Sequence, residues 1–118
     1  MQKRVKTLIV DDCHRSRKGL QALLASWPTV DVIGEACDGE KAVKLVESQQ
    51  PDVVLMDVQM PILDGIQTTQ IIKALWSSVR VVIITMYASY QDMATAAGAD
   101  AFLVKGCSDD ELQKAMLL

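Results

Sequence analysis

The stretch VVLMDVQMPILDG, Val53 to Gly65, poses the question on which the fold turns. Its first four residues are all apolar and read as a strand covered on both faces, because a strand with one wet face alternates instead. The run then ends on a carboxylate, Asp57. Burying a charge without a partner is costly. Pro61 stiffens the segment that follows, and Asp64, next to Gly65, suits the cap of a helix. Asp57 is therefore a helix cap, a salt-bridge partner or a reacting group, and the rest of the chain must decide which.

Working outward, the same kind of run recurs at regular intervals. KTLIV (6–10), VDVIGEA (30–36), DVVLM (52–56), RVVIIT (80–85) and AFLV (101–104) read as five strands. Four are nearly continuous in apolar residues. The second carries Asp31 and Glu35 and reads as an edge strand. Helical spacing fills the intervals. Leu20, Leu23 and Leu24 mark the first helix, stopped by Trp27-Pro28. Ala42, Leu45 and Val46 mark the second, after a turn and cap at Asp38-Gly39, and Pro51 follows it. Ile66, Thr69, Ile72 and Leu75 mark the third. Met93, Ala96 and Ala97 mark a short fourth before Gly98, and Leu112, Ala115 and Met116 a fifth. Strands alternating with helices imply an α/β fold with right-handed crossovers. The expected form is a flavodoxin-like (βα)5 three-layer sandwich, a parallel five-stranded sheet in the order 2-1-3-4-5. That order puts the polar second strand at an edge.

The bulk composition narrows the classes of function. The 118 residues make one domain, 1–118, and half of them are apolar, enough for a core without staples. Acids outnumber bases by 15 to 12, which does not favour an electrostatic grip on nucleic acid by this chain itself. The three cysteines, Cys13, Cys37 and Cys107, show no CxxC spacing, so neither a disulfide framework nor a zinc site is expected. Buried or half-buried thiols in a reducing compartment are expected instead. No apolar run approaches the roughly 20 residues of a membrane span. The basic N-terminus lacks the apolar region of a signal peptide. No membrane partner and a cytoplasmic location are expected.

In open α/β sheets, ligands bind beyond the carboxyl ends of the strands. The residues at those positions are Asp11-Asp12, Asp57, Thr85 and Lys105, from strands that the order 2-1-3-4-5 makes contiguous. The edge strand contributes nothing similar. Singly, each has an ordinary reading: a helix cap for Asp11-Asp12, a solvated strand end for Asp57, a β-former for Thr85, a surface ammonium for Lys105. Jointly they are hard to attribute to chance. Three carboxylates on one rim repel, and they stay ionised only among cations. Lys105 supplies one positive charge and a hard divalent ion such as Mg2+ can supply the rest. One carboxylate is then free to attack, and an ionised Asp is a phosphoryl acceptor.

At these residues the sequence resembles the receiver domain of two-component response regulators, and more narrowly the LuxR-type (NarL/FixJ-like) group. LIVDD, RKGLQALL, GEACDGEKAV, PDVVLMDVQMPILDGI, VRVVIITM and GADAFLVKG carry the likeness over essentially the whole chain. The resemblance implies that Asp57 takes a phosphoryl group from a sensor histidine kinase. It implies that Asp12 and Asp57 bind Mg2+ directly, Asp11 largely through water, and Gln59 through its backbone carbonyl. Lys105 would pair with Asp57 and then with the phosphoryl group, and Thr85 would move to bond a phosphoryl oxygen. Phe102 stands at the family's switch-aromatic position and would turn inward with Thr85. Gln59, Met86 and Tyr87 would tune how long the phosphoryl group lasts. Met86 is large where the wider family usually has a small residue, and Gly106 stands where many receivers have proline. The likeness further implies a signalling switch rather than a turnover enzyme, and phosphorylation-dependent homodimerisation. DNA would be bound only through a C-terminal helix-turn-helix domain that this chain does not contain.

Other readings fit less well. A phosphatase of the haloacid-dehalogenase type would want a second Asp where Gln59 stands. A flavodoxin would want a hydroxyl- and glycine-rich loop where DDCHRSR stands. A pseudo-receiver that no longer uses phosphate would be expected to have lost part of the set. His14, the single histidine, reads as a surface residue of the first helical turn, and Trp27 and Trp76 as packing at the edge of the core.

Overall fold

A computed structural model of the chain describes residues 3–118. The apolar runs form β1 (Val5–Val10), β2 (Val30–Ala36), β3 (Val53–Met56), β4 (Arg80–Thr85) and β5 (Ala101–Val104). All pair in parallel in the order β2-β1-β3-β4-β5, the expected flavodoxin-like arrangement. β3 lies in the middle and is buried along its whole length, which is why its sequence does not alternate. β2 is an edge strand, as its acids suggested, and a register shift interrupts its pairing with β1 between Thr7 and Leu8. β5, at the other edge, is only half-buried despite its apolar sequence.

The intervening helices are α1 (His14–Ala25), α2 (Gly39–Gln49), α3 (Gly65–Leu75), α4 (Gln91–Ala96) and α5 (Asp109–Ala115). Because side chains alternate across a strand, Ile9, Leu55 and Val82 meet Leu24 of α1 and Leu112 of α5 on one face. Leu8, Val54, Met56 and Ile83 meet Val46 of α2, Ile72 of α3 and Ala94 of α4 on the other. Trp27 and Trp76 pack against the margins of these two clusters, as expected.

Local chemistry sets the helix starts. Asp38 accepts the Lys41 N–H at 2.8 Å, and Asp64 and Gln67 form a reciprocal capping box that begins α3. α1 begins differently. Its cap residue is Cys13, which makes no side-chain cap bond, so neither Asp11 nor Asp12 serves as the cap. The fourth helix is out of phase with the expected face. A 3-10 turn over Ala88–Tyr90 precedes α4, and Tyr90, Ala94 and Ala97 point inward while Met93 and Ala96 face solvent. The large ring of Tyr90 sets that phase. Leu75, at the end of α3, is likewise exposed. Among the described residues, no helix is long and apolar enough to cross a membrane.

Candidate functional site

Parallel pairing gathers the carboxyl ends of the strands on one rim, and the hydrogen-bond ladder runs one residue further. Asp11 N–H donates to the Ala36 carbonyl at 3.0 Å, Asp57 N–H to Val10 at 2.9 Å, and Lys105 N–H to Thr85 at 2.8 Å. The charged residues at the strand ends are thus held by neighbouring strands rather than by loops.

Their side chains converge. Lys105 Nζ donates to Asp57 Oδ2 at 2.9 Å and to Asp11 Oδ2 at 3.0 Å. The second Asp57 oxygen, Oδ1, accepts the Val58 N–H at 2.7 Å. Carboxylate oxygens of Asp11, Asp12 and Asp57 lie within 4.8 Å of one another, with Asp11 buried, Asp57 half-buried and Asp12 exposed. Burial by itself depresses the pKa of Lys105. The hydrogen bonds and charges of Asp57 and Asp11 outweigh it, so the pKa lies above the ordinary lysine value. Lys105 is therefore a permanent cation at neutral pH.

Three oxygen-donor side chains this close, one of them open to solvent, suit a hard divalent cation that keeps part of its water shell. No sulfur or imidazole takes part in the cluster, which separates it from sites for softer metals. The residues present fit Mg2+.

Thr85 lies at the neighbouring strand end, 1 % exposed, paired in register with Val104. Phe102 is half-buried against the cluster that α2, α3 and α4 cover. Met86 and Tyr87 are exposed. Gln59 is exposed too, but its side-chain amide donates to the Tyr90 hydroxyl at 3.1 Å, joining the segment after β3 to the start of α4. His14 is exposed on the first turn of α1 and is not one of the clustered residues.

Sequence reasoning missed four contributors. Ser16 Oγ stands 3.4 Å from Lys105 Nζ. Tyr90 holds Gln59. Arg17 Nη1 donates to the Asp11 carbonyl at 2.7 Å. Gly65 is more than part of a cap, since a Cβ there would collide with the carbonyl of Asp57 and the Cα of Val58. The Asp-Gly pair in the sequence was a signal for this last contact, read too locally. Asp11, Asp57, Lys105 and Ser16 line a cleft of about 240 Å³ beside α1 and α5, together with Leu20, Leu23 and Leu112. The cysteines depart from expectation in one respect: all three are free, but Cys13 is exposed rather than buried.

Comparison with known proteins bears on the family and the fold. A family model described as the response regulator receiver domain matches residues 7–117. The chain is 36% identical over 112 residues to the uncharacterized transcriptional regulatory protein YhcZ of Bacillus subtilis (strain 168), covering 93% of this chain and 52% of that protein. It is 34% identical over 111 residues to the nitrate/nitrite response regulator protein NarL of Escherichia coli (strain K12), covering 92% and 51%. The signal receiver domain of the putative response regulator NarL from Mycobacterium tuberculosis superposes with a TM-score of 0.90 at 32% identity, covering 98% of this chain and 94% of that one. The chain spans about half the length of the curated relatives it matches.

Proposed function

The chain belongs to the response regulator receiver domain family, and from that premise we propose that it is a phosphorylation switch whose acceptor is Asp57. The observation that carries the reading is the Asp57 carboxylate, fixed at a strand end, bonded to the Lys105 ammonium at 2.9 Å and clustered with Asp11 and Asp12.

The donor is a phosphohistidine on a sensor histidine kinase. A carboxylate oxygen of Asp57 attacks phosphorus, an O–P bond forms, and the P–N bond breaks with its electron pair leaving on the histidine nitrogen. Phosphoryl transfer needs mainly positioning and neutralised charge. Asp12, Asp57 and the Gln59 carbonyl would hold Mg2+, with Asp11 acting largely through water. The bound ion would supply charge neutralisation. Lys105, whose pKa the facing carboxylates raise against the effect of burial, would transfer its bond from Asp57 to a phosphoryl oxygen. The Thr85 hydroxyl, at the adjoining strand end, would bond another, and Phe102 would turn inward behind it. Met86, Tyr87 and Gln59, one or two residues beyond Thr85 and Asp57 in sequence, would set the lifetime of the acyl phosphate. The output, in a longer protein, would be control of transcription through a C-terminal DNA-binding domain, with phosphorylation-dependent dimerisation of the receiver. The chain works as a switch and not as a turnover enzyme.

Incubation with acetyl phosphate and Mg2+, followed by intact mass spectrometry, tests this. We expect one added phosphoryl group, absent in Asp57→Ala and absent when EDTA replaces Mg2+. No adduct from acetyl phosphate or a cognate kinase, or steady turnover of phosphate esters, overturns the reading.

A further inference from the structure

One guanidinium stands behind the acidic rim without touching a carboxylate of the cluster. Arg17, in the first turns of α1, sends Nη1 to the Asp11 carbonyl at 2.7 Å and Nε to Glu35 Oε1, on β2, at 3.3 Å. Its Nη2 is 3.4 Å from His14 Nδ1. The side chains of Arg17 and Glu35 are only 15% and 23% exposed. Lys18 Nζ approaches the other Glu35 oxygen at 3.5 Å.

We propose that Arg17 is a positioning residue for the divalent-cation site, clamping the Asp11–Asp12 peptide while Glu35 of the edge strand holds its guanidinium. The proposal rests on the reading that the rim binds Mg2+. The Asp11 carbonyl and the Asp12 nitrogen belong to one rigid peptide plane. Fixing the carbonyl fixes that plane, and with it the direction in which Asp12 leaves the backbone. Asp12 is the exposed member of the cluster, so backbone orientation aims its carboxylate. The opposite side of Asp11 is already tied, its N–H to Ala36 and its Oδ1 to the Cys13 N–H at 2.8 Å. Arg17 completes the brace from the helix side. The forked guanidinium meets two acceptors at once, which a lysine ammonium on a shorter, flexible stem does poorly. The edge strand, which seemed to add nothing to the site, thereby contributes Glu35 at one remove.

Charge and positioning predict opposite signs. Removing a cation near three carboxylates would, by Coulomb attraction alone, tighten Mg2+ binding. Loss of the clamp would weaken it, and removal of outer partners of metal ligands typically costs about 10- to 100-fold in affinity. Isothermal titration calorimetry with MgCl2 on the unphosphorylated chain separates the two. We expect Arg17→Met to bind Mg2+ about tenfold more weakly, Arg17→Lys to fall between it and the parent although its charge is kept, and Glu35→Gln to weaken binding as well. Lys18→Gln removes a neighbouring charge without touching Asp11 and is expected to bind at least as tightly as the parent. Melting curves in EDTA give the readout that a merely structural role would move. An Arg17→Met variant that melts earlier but binds Mg2+ unchanged, or binds it more tightly, overturns the proposal, as does Arg17→Lys binding like the parent. If Arg17→Met does not fold, Arg17→Lys and Glu35→Gln carry the same test. A parent chain that binds no Mg2+ refutes the underlying site, a different outcome from a parent that binds and an Arg17→Met that binds equally.

Discussion

Gly65→Ala and Gly19→Ala are the same chemical change, and the structure assigns them opposite signs. Both glycines lie in helices, and neither has a positive φ. At Gly19, in α1, an added Cβ meets no heavy atom within 4 Å. The substitution there gains helix propensity and lowers the entropy of the unfolded chain, worth roughly 0.5–1 kcal/mol. At Gly65, the first residue of α3, the Cβ would overlap the carbonyl carbon and oxygen of Asp57 and the Cα of Val58. These are backbone atoms at the end of a fully buried strand and cannot rotate away. Overpacking of that kind costs about 1–3 kcal/mol or more, and the propensity gain at a first helical position offsets little of it. We expect a net loss of about 2 kcal/mol. With a urea dependence of about 1–3 kcal/mol per molar, the denaturation midpoint should fall by about 1 M for Gly65→Ala and rise by up to about 0.5 M for Gly19→Ala. Urea unfolding followed by far-UV circular dichroism and by Trp27 and Trp76 fluorescence measures both. The clash also bears on Asp57 itself, so Gly65→Ala should accept phosphoryl from acetyl phosphate more slowly even in buffer where it is fully folded. A Gly65→Ala variant as stable as the parent would refute the argument that α3 is set against the acceptor by this glycine.

Met86→Ala should shorten the lifetime of the aspartyl phosphate, on the reading that the residue after Thr85 limits water's approach to the acceptor; an unchanged or longer decay, followed by intact mass, would count against it. Hydrogen bonds from the Ser16 backbone and side chain lower the pKa of exposed Cys13, while burial and then Glu111 raise that of Cys107. A lowered pKa means more thiolate at neutral pH, so iodoacetamide near neutral pH should label Cys13 before Cys107 by peptide mapping; the reverse order would show that the thiol environments are misread.

Four of the five strands were legible because buried parallel strands have no polar phase to hide, and each of those four ended at a charged or hydroxyl residue; β2 was read instead from its alternation. The expected order placed the fifth run at an edge, as observed, but composition did not show how exposed that run is. AFLV has the composition of a central strand, yet β5 flanks the sheet and is half-exposed. The phase of α4 was missed because Met93 looked like the anchor, whereas Tyr90 in the preceding turn holds that place. Asp11, Asp12, Asp57, Thr85 and Lys105 were singled out because the fold rule for ligand positions applies to strand ends. Arg17 and Glu35 are 18 residues apart, on a helix and an edge strand, and in the sequence each resembles an ordinary solvated charge. Only the packing of α1 against β2 brings them together behind Asp11.

Under the proposed function, the charge balance of the rim would let one constellation hold a cation and respond to phosphorylation at once. Asp11, Asp12 and Asp57 bring three negative charges, and Lys105, bonded to two of them, returns one positive. Arg17 and Glu35 cancel each other. The remainder is two negative charges, which one divalent ion neutralises. Replacing the Asp57 carboxylate by an acyl phosphate adds negative charge in the same place, because a phosphoryl group carries close to two charges at neutral pH. A cation held there is then held more tightly, and by reciprocity of binding free energies the bound cation must favour the phosphorylated form by the same amount. Lys105 cannot meet this demand alone: it is a single charge on a stem already committed to Asp57 and Asp11. By this balance the lysine orders the carboxylates, and a divalent ion and a phosphoryl group bound there would stabilise each other.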